Sequence, residues 1–200
     1  MVTTIDRAVI EAALSGAGEA SSDFDLNPDF RPTEAAALRA AGVLVALRSH
    51  VDGPRLILTK RSSALRHHPG QIAFPGGRVD EGDADPVAAA LREAEEEIGL
   101  RVENVEVLGG LPTHETVTRF RMYPVLGWVR RDFTPVPEAG EVSEVFEVPL
   151  SHVLDPANFH VQSRRWRGQT RSYFTVPYGP YYIWGATARI LRSLAERVAS

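Results

Sequence analysis

Residues 91–100 carry acidic side chains at a spacing that places three of them on one face of a helix. At about 100° per residue, Glu93, Glu96 and Glu97 stand at i, i+3 and i+4, so their carboxylates are neighbours. Like charges at this spacing destabilise a helix by about 0.2–0.5 kcal/mol per pair. A bound divalent cation would reverse the sign of that effect, and clustered carboxylate oxygens favour Mg²⁺ or Mn²⁺. We therefore predict a metal site, against the alternative of a solvated charged face.

The other residues of this helix predict how it packs. Ala89 is small and lies one turn before the carboxylates, where it is expected to leave access open. Arg92 is expected to reach Glu95 or Glu96. The predicted buried stripe consists of Val87, Leu91, Ala94 and Ile98.

The charges on either side of a Gly-Gly step are of opposite sign. Residues 53–79 contain five basic residues and no acidic one, whereas residues 80–97 contain eight acidic residues and one base. A basic block folded against an acidic one is typical of a metal and phosphate site, in which carboxylates hold the cation and bases hold the anion. Gly76 and Gly77 allow the backbone to approach a ligand closely.

Composition bounds the remaining possibilities. The chain has 200 residues, a formal net charge of −4 and no cysteine, which excludes disulfides, thiolate metal sites and a cysteine nucleophile. The net charge disfavours nucleic-acid binding. The N-terminus does not resemble a signal peptide, and the longest apolar run, residues 40–47, is far shorter than the ~20 residues that cross a bilayer. We expect a cytoplasmic protein that binds neither nucleic acid nor membrane.

Local patterns predict an α/β (α+β) fold with a mixed β-sheet packed between helices, because strands and helices do not alternate regularly. We divide the chain into an N-terminal helix with a loose arm, residues 1–32, and a main domain, residues 33–200. Pro86 suits a first helical turn and Gly99 a C-terminal stop. The predicted helices are 5–14, 86–98 and 186–198, and the predicted strands are 43–47, 56–59, 105–111, 123–129, 142–148, 163–167 and 171–176.

The acidic helix and its glycine resemble the signature of the Nudix hydrolase family. That signature is a glycine, five residues, an acid, seven residues, then Arg-Glu, an aliphatic residue, any residue, Glu-Glu, any residue, Gly and an aliphatic residue. Gly77 matches the glycine and residues 92–100 match the tail. The first acid is Asp83 instead of Glu, eight residues instead of seven separate it from Arg92, and Ala94 is small for the aliphatic slot. The role of Asp83 is therefore left open.

A second motif resembles that of the coenzyme A pyrophosphatase subfamily. Its pattern is approximately Leu-Leu-Thr-x-Arg-Ser, a short gap, Arg, three residues, Gly, three residues and Phe-Pro-Gly-Gly. Residues 57–62, Arg66, Gly70 and residues 74–77 follow it, with Ile57 in place of the first Leu. Residues 183–189 are similar to the C-terminal segment of the same subfamily.

The resemblance implies a Nudix-like α/β/α sandwich with a loop-helix-loop catalytic motif. It also implies hydrolysis of the phosphoanhydride of coenzyme A and its derivatives to 3′,5′-ADP and 4′-phosphopantetheine, with Mg²⁺ or Mn²⁺. The expected metal ligands are Glu93, Glu96, Glu97 and the carbonyl of Gly77, and the expected catalytic residues are these glutamates with Arg92. Two alternatives stay open: a Nudix pyrophosphatase for NADH, ADP-ribose or dinucleoside polyphosphates, and a non-catalytic nucleotide-sensing domain.

The general base and the substrate contacts are less closely specified. Glu97, Glu141 and Glu144 are the candidates for the base, although Glu141 and Glu144 are also explained as surface acids beside a strand. A homodimer is one option for the assembly. The expected substrate-binding residues are Lys60, Arg61, Arg66, Gly76 and Gly77.

Two other features have structural explanations that compete with functional ones. The adjacent His67 and His68 point to opposite sides of an extended chain, which argues against shared metal ligation. The basic cluster around residues 164–171 is more typical of a solvated hairpin or an oligomer contact than of nucleic-acid binding. Trp184 is expected in the core, with contact to pantetheine as the alternative.

Overall fold

The computed structural model describes residues 5–16, 18–32, 37–166 and 168–199. Its α-helices are α1 (Arg7–Leu14), α2 (Pro86–Ile98), α3 (Leu150–Leu154) and α4 (Ala186–Ala199), and short 3-10 turns cover Pro28–Phe30, Val102–Asn104 and Pro156–Asn158. Its strands are β1 (Ser21–Ser22), β2 (Arg39–Arg48), β3 (Arg55–Arg61), β4 (Ile72–Ala73), β5 (Gly76–Arg78), β6 (Val105–Gly110), β7 (His114–Glu115), β8 (Phe120–Val129), β9 (Val142–Pro149), β10 (His160–Trp166) and β11 (Gln169–Thr175).

Strand β2 is central to a mixed sheet. It pairs in parallel with β8 and antiparallel with β3 and β5. Strand β3 also pairs with β4 and β9, β8 also pairs with β6 and β7, and β1 lies parallel to β7. Within the described residues this sheet has nine strands, while β10 and β11 form a separate antiparallel hairpin. The predicted mixed sheet is confirmed.

Alternate residues of β2 contribute to two different hydrophobic layers, as the side-chain period of a strand requires. Val43, Val45 and Leu47 belong to the cluster shared with α1, α3 and α4. Leu44 and Ala46 belong to the cluster shared with α2. The sheet therefore lies between α2 on one side and the other helices on the other, and the α/β/α sandwich is confirmed.

The bounds of α2 follow from local signals at both ends. The Asp85 carboxylate accepts a hydrogen bond from the Ala88 backbone N–H at 2.8 Å, and Pro86 occupies the first turn. At the other end Gly99 adopts a left-handed conformation with φ 70°, which a residue without a Cβ adopts at little cost. The predicted helix 86–98 is confirmed at both ends.

The prediction that residues 15–32 form a loose arm is wrong. Ser21 and Ser22 are buried in β1 beside β7. Asn27 anchors the segment to the hairpin, because its side-chain amide donates to the Ser172 carbonyl and accepts from the Ser172 N–H, both at 2.8 Å. A polar side chain that replaces a missing backbone partner produces order that local composition does not reveal.

Some predictions fall on residues outside the described ranges. Residues 1–4 and 33–36 are not described. The proposed division between residues 1–32 and 33–200 falls at the second of these gaps and stays a prediction. Residue 167, the predicted end of a hairpin strand, also lies outside. Within the part of the chain that the structure describes, none of the helices combines the length and apolar character needed to cross a membrane.

Candidate active site

Glycines bring the acidic face of α2 onto the strands β2 and β5. A Cβ atom at Gly42 would collide with the Pro86 carbonyl and the Ala90 N–H of the helix. A Cβ atom at Gly77 would collide with the carboxylate of Glu93. Gly42 and Gly77 are register partners in the β2–β5 ladder, so both sides of the contact lack a side chain. A glycine inside a strand often marks a close approach of another backbone. Gly42 is therefore the residue from which the contact between β2 and α2 could have been predicted, and our prediction did not use it.

This approach buries the region between the carboxylates and the apolar stripe. Ala89 is completely buried, so the prediction that it leaves an open face is wrong. Val87 and Leu91, which we expected in the buried stripe, are only half-buried because the sheet contacts the helix farther around its circumference. The buried residues of α2 are Ala89, Ala90, Ala94, Glu97 and Ile98.

Glu97 is a carboxylate inside this interface. Its side chain is 5% exposed, and one of its oxygens accepts a hydrogen bond from the Gly76 backbone N–H at 3.1 Å. The Arg61 guanidinium ends 4.0 Å from the other oxygen. Removal from water disfavours the charged form more than these partners favour it, so burial raises the pKa of Glu97 to about 7.

Glu93 and Glu96 face a different partner on the same helix. One Arg92 nitrogen donates to both carboxylates, at 3.0 Å in each case. The Glu93 side chain is 16% exposed and that of Glu96 is 59% exposed. Burial also raises the pKa of Glu93 above its usual range, although Arg92 opposes this. Exposure to solvent therefore increases across this face, from Glu97 through Glu93 to Glu96.

Asp83 fixes Arg92 from the loop that precedes the helix. Arg92 Nε and Nη2 donate to the two Asp83 oxygens at 2.9 and 3.0 Å, and Asp83 also accepts from the Asp80 backbone N–H at 2.8 Å. The hydrogen bonds from Arg92 hold the pKa of Asp83 below its usual range. A planar guanidinium bound on two sides has one orientation. Asp83 thus orients the Arg92 guanidinium that donates to Glu93 and Glu96.

The prediction that Arg92 contacts Glu96 is confirmed, whereas the predicted alternative, Glu95, is wrong. Glu95 points away from Arg92, and its carboxylate accepts a hydrogen bond from the Val102 backbone N–H at 3.2 Å. The Glu95 carboxylate therefore satisfies a backbone N–H of the turn that follows the helix.

The three predicted metal ligands share one face, but they do not point at one another. Among the described residues, no three His, Cys, Asp or Glu side chains are grouped closely enough to hold a metal ion. The Glu93 and Glu96 carboxylates accept hydrogen bonds from Arg92, while Glu97 accepts one from the Gly76 N–H. The donor chemistry nevertheless fits a hard divalent cation, because one helix face supplies three carboxylates, and burial raises the pKa of two of them, Glu93 and Glu97.

The loop of residues 62–71 is held by hydrogen bonds to the backbone of Arg61, the residue whose side chain reaches Glu97. The Arg61 N–H donates to the Gln71 carbonyl at 2.9 Å, and the Gly70 N–H donates to the Arg61 carbonyl at 3.1 Å. Arg66 is exposed on this loop. His68, with φ 56°, has a pKa below its usual value because of burial and the nearby Arg61 charge. The structure thus brings Arg61 to the carboxylates and leaves Arg66 at the surface.

The other predicted substrate contacts lie on β3 and β5. Lys60 is exposed and stands opposite Glu144 in the β3–β9 ladder. Gly76 and Gly77 both lie directly against the carboxylates of α2.

The two later acids have different surroundings. Glu144 accepts a hydrogen bond from the Tyr181 hydroxyl at 2.5 Å. Glu141 is exposed, and its backbone carbonyl accepts from the Ser62 N–H at 2.7 Å. Besides burial, the negative charge of Glu141 contributes to the raised pKa values of Glu93 and Glu97. Of the two, Glu141 is the acid whose charge acts on the carboxylates of α2.

The chain matches known proteins in both sequence and fold. A family model described as the NUDIX domain matches residues 37–167. The protein named "Uncharacterized Nudix hydrolase NudL" from Enterobacter sp. (strain 638) is 44% identical over 160 residues, which cover 80% of this chain and 83% of the relative. The protein of the same name from Escherichia coli (strain K12) is 42% identical over 160 residues, with the same coverage.

A solved structure shares the fold. The crystal structure of a Nudix hydrolase from M. smegmatis, RenU, superposes with a TM-score of 0.50 and 22% sequence identity. The match covers 69% of this chain and 83% of that chain. At this level of identity the likeness concerns the fold alone.

Proposed function

The chain belongs to the Nudix hydrolase family, and from this premise we propose that it hydrolyses the phosphoanhydride of coenzyme A and its derivatives to 3′,5′-ADP and 4′-phosphopantetheine. The observation that carries the proposal is the contact between the two motifs. Arg61, from the motif that resembles coenzyme A pyrophosphatases, extends to Glu97, from the Nudix signature. The loop that carries Arg66 is tied to the backbone of the same Arg61.

The charge distribution of the site suits a pyrophosphate substrate. Enzymes of this family generally use divalent metal ions such as Mg²⁺ or Mn²⁺, and such an ion would offset charge on the bridging phosphate oxygens and activate a water. Glu93, Glu96 and Glu97 are the residues that would hold it, with the Gly77 carbonyl as the proposed addition. Arg61 and Arg66 supply positive charge for the phosphates.

The proton of the attacking water needs an acceptor near neutral pH. Glu97 is the first candidate, because its buried carboxylate lies beside the Phe-Pro-Gly-Gly step and its pKa in the metal-free protein is raised to about 7. Glu141 is the second candidate, since its charge acts on Glu93 and Glu97. Glu144 is the weakest candidate, because its carboxylate is engaged by the Tyr181 hydroxyl.

The test is product identification from a panel of substrates. Purified protein with Mg²⁺ is incubated separately with coenzyme A, acyl-coenzyme A, ADP-ribose, NADH and a diadenosine polyphosphate, and the products are identified by mass spectrometry. We expect 3′,5′-ADP and 4′-phosphopantetheine from coenzyme A at the highest kcat/KM. Comparable turnover of ADP-ribose would defeat the narrow specificity, and absence of turnover on the whole panel would favour a nucleotide-sensing role.

A pair of variants on α2 controls the experiment. Glu97→Gln replaces the buried carboxylate by a neutral group of the same shape and should abolish turnover while preserving the fold. Glu95→Gln removes a charge from the same helix, at a carboxylate that accepts a hydrogen bond from the following turn, and should retain activity. Full activity of Glu97→Gln would refute the role assigned to it. The cytoplasmic location and the homodimer stay predictions.

A further inference from the structure

The C-terminal part of the chain has a charge distribution unlike the rest. Residues 156–195 contain six arginines and no aspartate or glutamate, although the whole chain has a formal net charge of −4. The hairpin β10–β11 projects from this region as a ribbon that is separate from the main sheet. Arg189 and Arg192 pair with Asp25 and Glu196, so the positive charge that could attract an anion lies on the hairpin, at Arg164 and Arg165.

One face of the ribbon combines arginine with aromatic rings. Arg164 lies directly opposite Arg171 in the β10–β11 ladder, an arrangement of like charges that is unfavourable by itself. The Arg164 guanidinium stands 4.6 Å over the Trp184 ring. The Tyr173 ring meets the edge of Trp184 at 5.2 Å, and its hydroxyl is 3.3 Å from that of Tyr182. We call Arg164, Tyr173, Tyr182 and Trp184 the hairpin surface.

The hairpin surface is rigidly supported by the body of the protein. The Val176 N–H donates to the Ile183 carbonyl at 2.9 Å, which fixes the segment that carries Tyr182 and Trp184. In the same segment, the Tyr181 ring stacks on the Phe146 ring of β9, with 3.5 Å between the ring centroids and 7° between the ring planes. Tyr182 itself is 46% exposed. The ring of Tyr182 is therefore held in place while remaining available to a ligand.

The hairpin surface adjoins the candidate active site through Gln71. A Cβ atom at Gly185, the residue after Trp184, would lie 3.8 Å from the Gln71 side-chain nitrogen. The Thr187 hydroxyl donates to the Ile72 carbonyl at 3.1 Å. Gln71 is the residue whose carbonyl accepts from the Arg61 N–H, and Arg61 in turn reaches Glu97. Gln71 and Arg61 therefore connect the hairpin surface to Glu97 through direct contacts.

We propose that the hairpin surface binds the nucleotide half of the substrate, with the base stacked on Tyr182 and a phosphate paired with Arg164. Trp184 and Tyr173 orient these two side chains. A cation beside aromatic rings matches a nucleotide, which is both anionic and aromatic; the pantetheine half is aliphatic and has no such match. The proposal rests on the proposed function only in that the substrate contains a nucleotide.

The test measures binding of the two reaction products separately. Adenosine 3′,5′-bisphosphate, AMP and 4′-phosphopantetheine are titrated by calorimetry into the full-length wild type, Arg164→Gln and Tyr182→Ala. Each variant should bind both nucleotides at least about fivefold more weakly, since base stacking and charge-assisted hydrogen bonds are each worth about 1 kcal/mol or more. Binding of 4′-phosphopantetheine should stay within about twofold of the wild type.

Matched controls separate a binding role from a structural one. Arg165 is the next residue along β10, so its side chain points to the opposite face of the ribbon, and Arg165→Gln should bind nucleotides as the wild type does. Tyr182→Phe keeps the ring and should also bind normally. Circular dichroism and thermal melts establish that each variant is folded.

The outcomes distinguish this proposal from the proposed function. Unchanged nucleotide binding by both Arg164→Gln and Tyr182→Ala overturns the proposal, as does a wild type that binds neither nucleotide at millimolar concentration. An effect on a single-stranded RNA oligonucleotide but not on AMP also overturns it. If coenzyme A is not hydrolysed but Arg164→Gln weakens AMP binding, the proposed function fails while the nucleotide site stands.

Discussion

The carboxylate of Glu97 accepts a hydrogen bond from the backbone N–H of Gly76 inside the interface between helix α2 and strand β5. This contact joins the Phe-Pro-Gly-Gly step to the acidic helix, two parts of the chain that are 21 residues apart. It leaves an acid that is 5% exposed next to a backbone without side chains. Burial raises the pKa of Glu97 to about 7, so the stability of this interface should depend on the protonation of the residue that we propose as general base.

The raised pKa of Glu97 predicts that the metal-free protein loses stability as the pH rises. Because the folded state binds the proton more tightly than the unfolded state, this contribution is fully present below pH 4.5 and is lost as the pH passes 7. The loss amounts to roughly 3 kcal/mol for a shift of this size. Urea denaturation in EDTA between pH 5 and pH 8 measures it.

Two variants on α2 isolate this contribution from the other titrating groups. Glu97→Gln stays neutral and should flatten the decline between pH 5 and pH 8. Glu95→Gln, whose carboxylate lies at the following turn, should retain the decline of the wild type. An equal slope in Glu97→Gln and the wild type would show that a different group is responsible.

The Asp83–Arg92 pair predicts an indirect role for Asp83 in catalysis. Asp83→Asn removes the charge that orients Arg92, so Glu93 and Glu96 lose their common partner. Loss of such a supporting contact typically lowers metal affinity or activity about 10–100-fold. The Mg²⁺ concentration for half-maximal activity and kcat measure the effect.

Asp80 provides the matched control for this prediction. It lies 3.9 Å from Arg92, is 52% exposed, and pairs with Arg78 instead. Asp80→Asn should therefore change activity little. If Asp83→Asn and Arg92→Gln each reduce activity and their effects multiply in the double variant, the two residues act independently and our assignment is wrong.

Local signals predicted the acidic helix, but they did not predict its surroundings. The signals that begin and end the helix, Asp85, Pro86 and Gly99, lie in the helix or directly beside it in the chain. The bounds of the helix were therefore predicted correctly. The burial of Glu97 depends on Gly42 and Gly76, which are distant in the chain. A helical wheel ranks residues by hydropathy, and so it assigned this acid to the exposed face.

The remaining errors have the same origin in long-range contacts. The polar composition of residues 15–32 predicted a loose arm, yet Ser21 is buried against His114 and Asn27 is tied to Ser172. The short strands β1, β4, β5 and β7 have two or three residues each, too few for a periodic pattern. The metal ligands follow from resemblance and donor chemistry, and stay a prediction.

Arg66 is predicted to recognise the 3′-phosphate of coenzyme A. It is an exposed arginine on the loop beside Arg61, and a charge-assisted hydrogen bond contributes about 1.5–3 kcal/mol. Arg66→Gln should raise the KM for coenzyme A about tenfold or more. It should raise the KM for the analogue without the 3′-phosphate much less.

The control for Arg66 is an arginine at the far end of the neighbouring strand. Arg55 begins β3, whereas Arg61 ends it, and Arg55→Gln should leave both KM values unchanged. Equal increases for the two substrates in Arg66→Gln would mean that its charge acts on the pyrophosphate or on the overall field instead of on the 3′-phosphate.

Divalent cations are predicted to stabilise the folded protein. A metal bound only in the folded state at ten times its Kd contributes about 1.4 kcal/mol, which corresponds to an increase in Tm of roughly 3–6 °C for a chain of this size. Glu93→Gln and Glu96→Gln should reduce this increase, whereas Glu95→Gln should retain it. A thermal melt with and without millimolar Mg²⁺ provides the measurement, and an unchanged Tm of the wild type would count against the cation site.

The last prediction concerns the buried histidine that holds the N-terminal segment. His114 is completely buried, with its two ring nitrogens 2.9 Å from the Ser21 hydroxyl and 3.2 Å from the Asp23 carboxylate. His114→Ala leaves both partners unsatisfied and creates a cavity, so it should cost about 2–4 kcal/mol of unfolding free energy. Hydrogen exchange should accelerate first in residues 18–25, whereas His160→Ala, at an exposed histidine, should change neither quantity. Uniform destabilisation without faster local exchange would show that His114 supports the sheet and does not specifically anchor this segment.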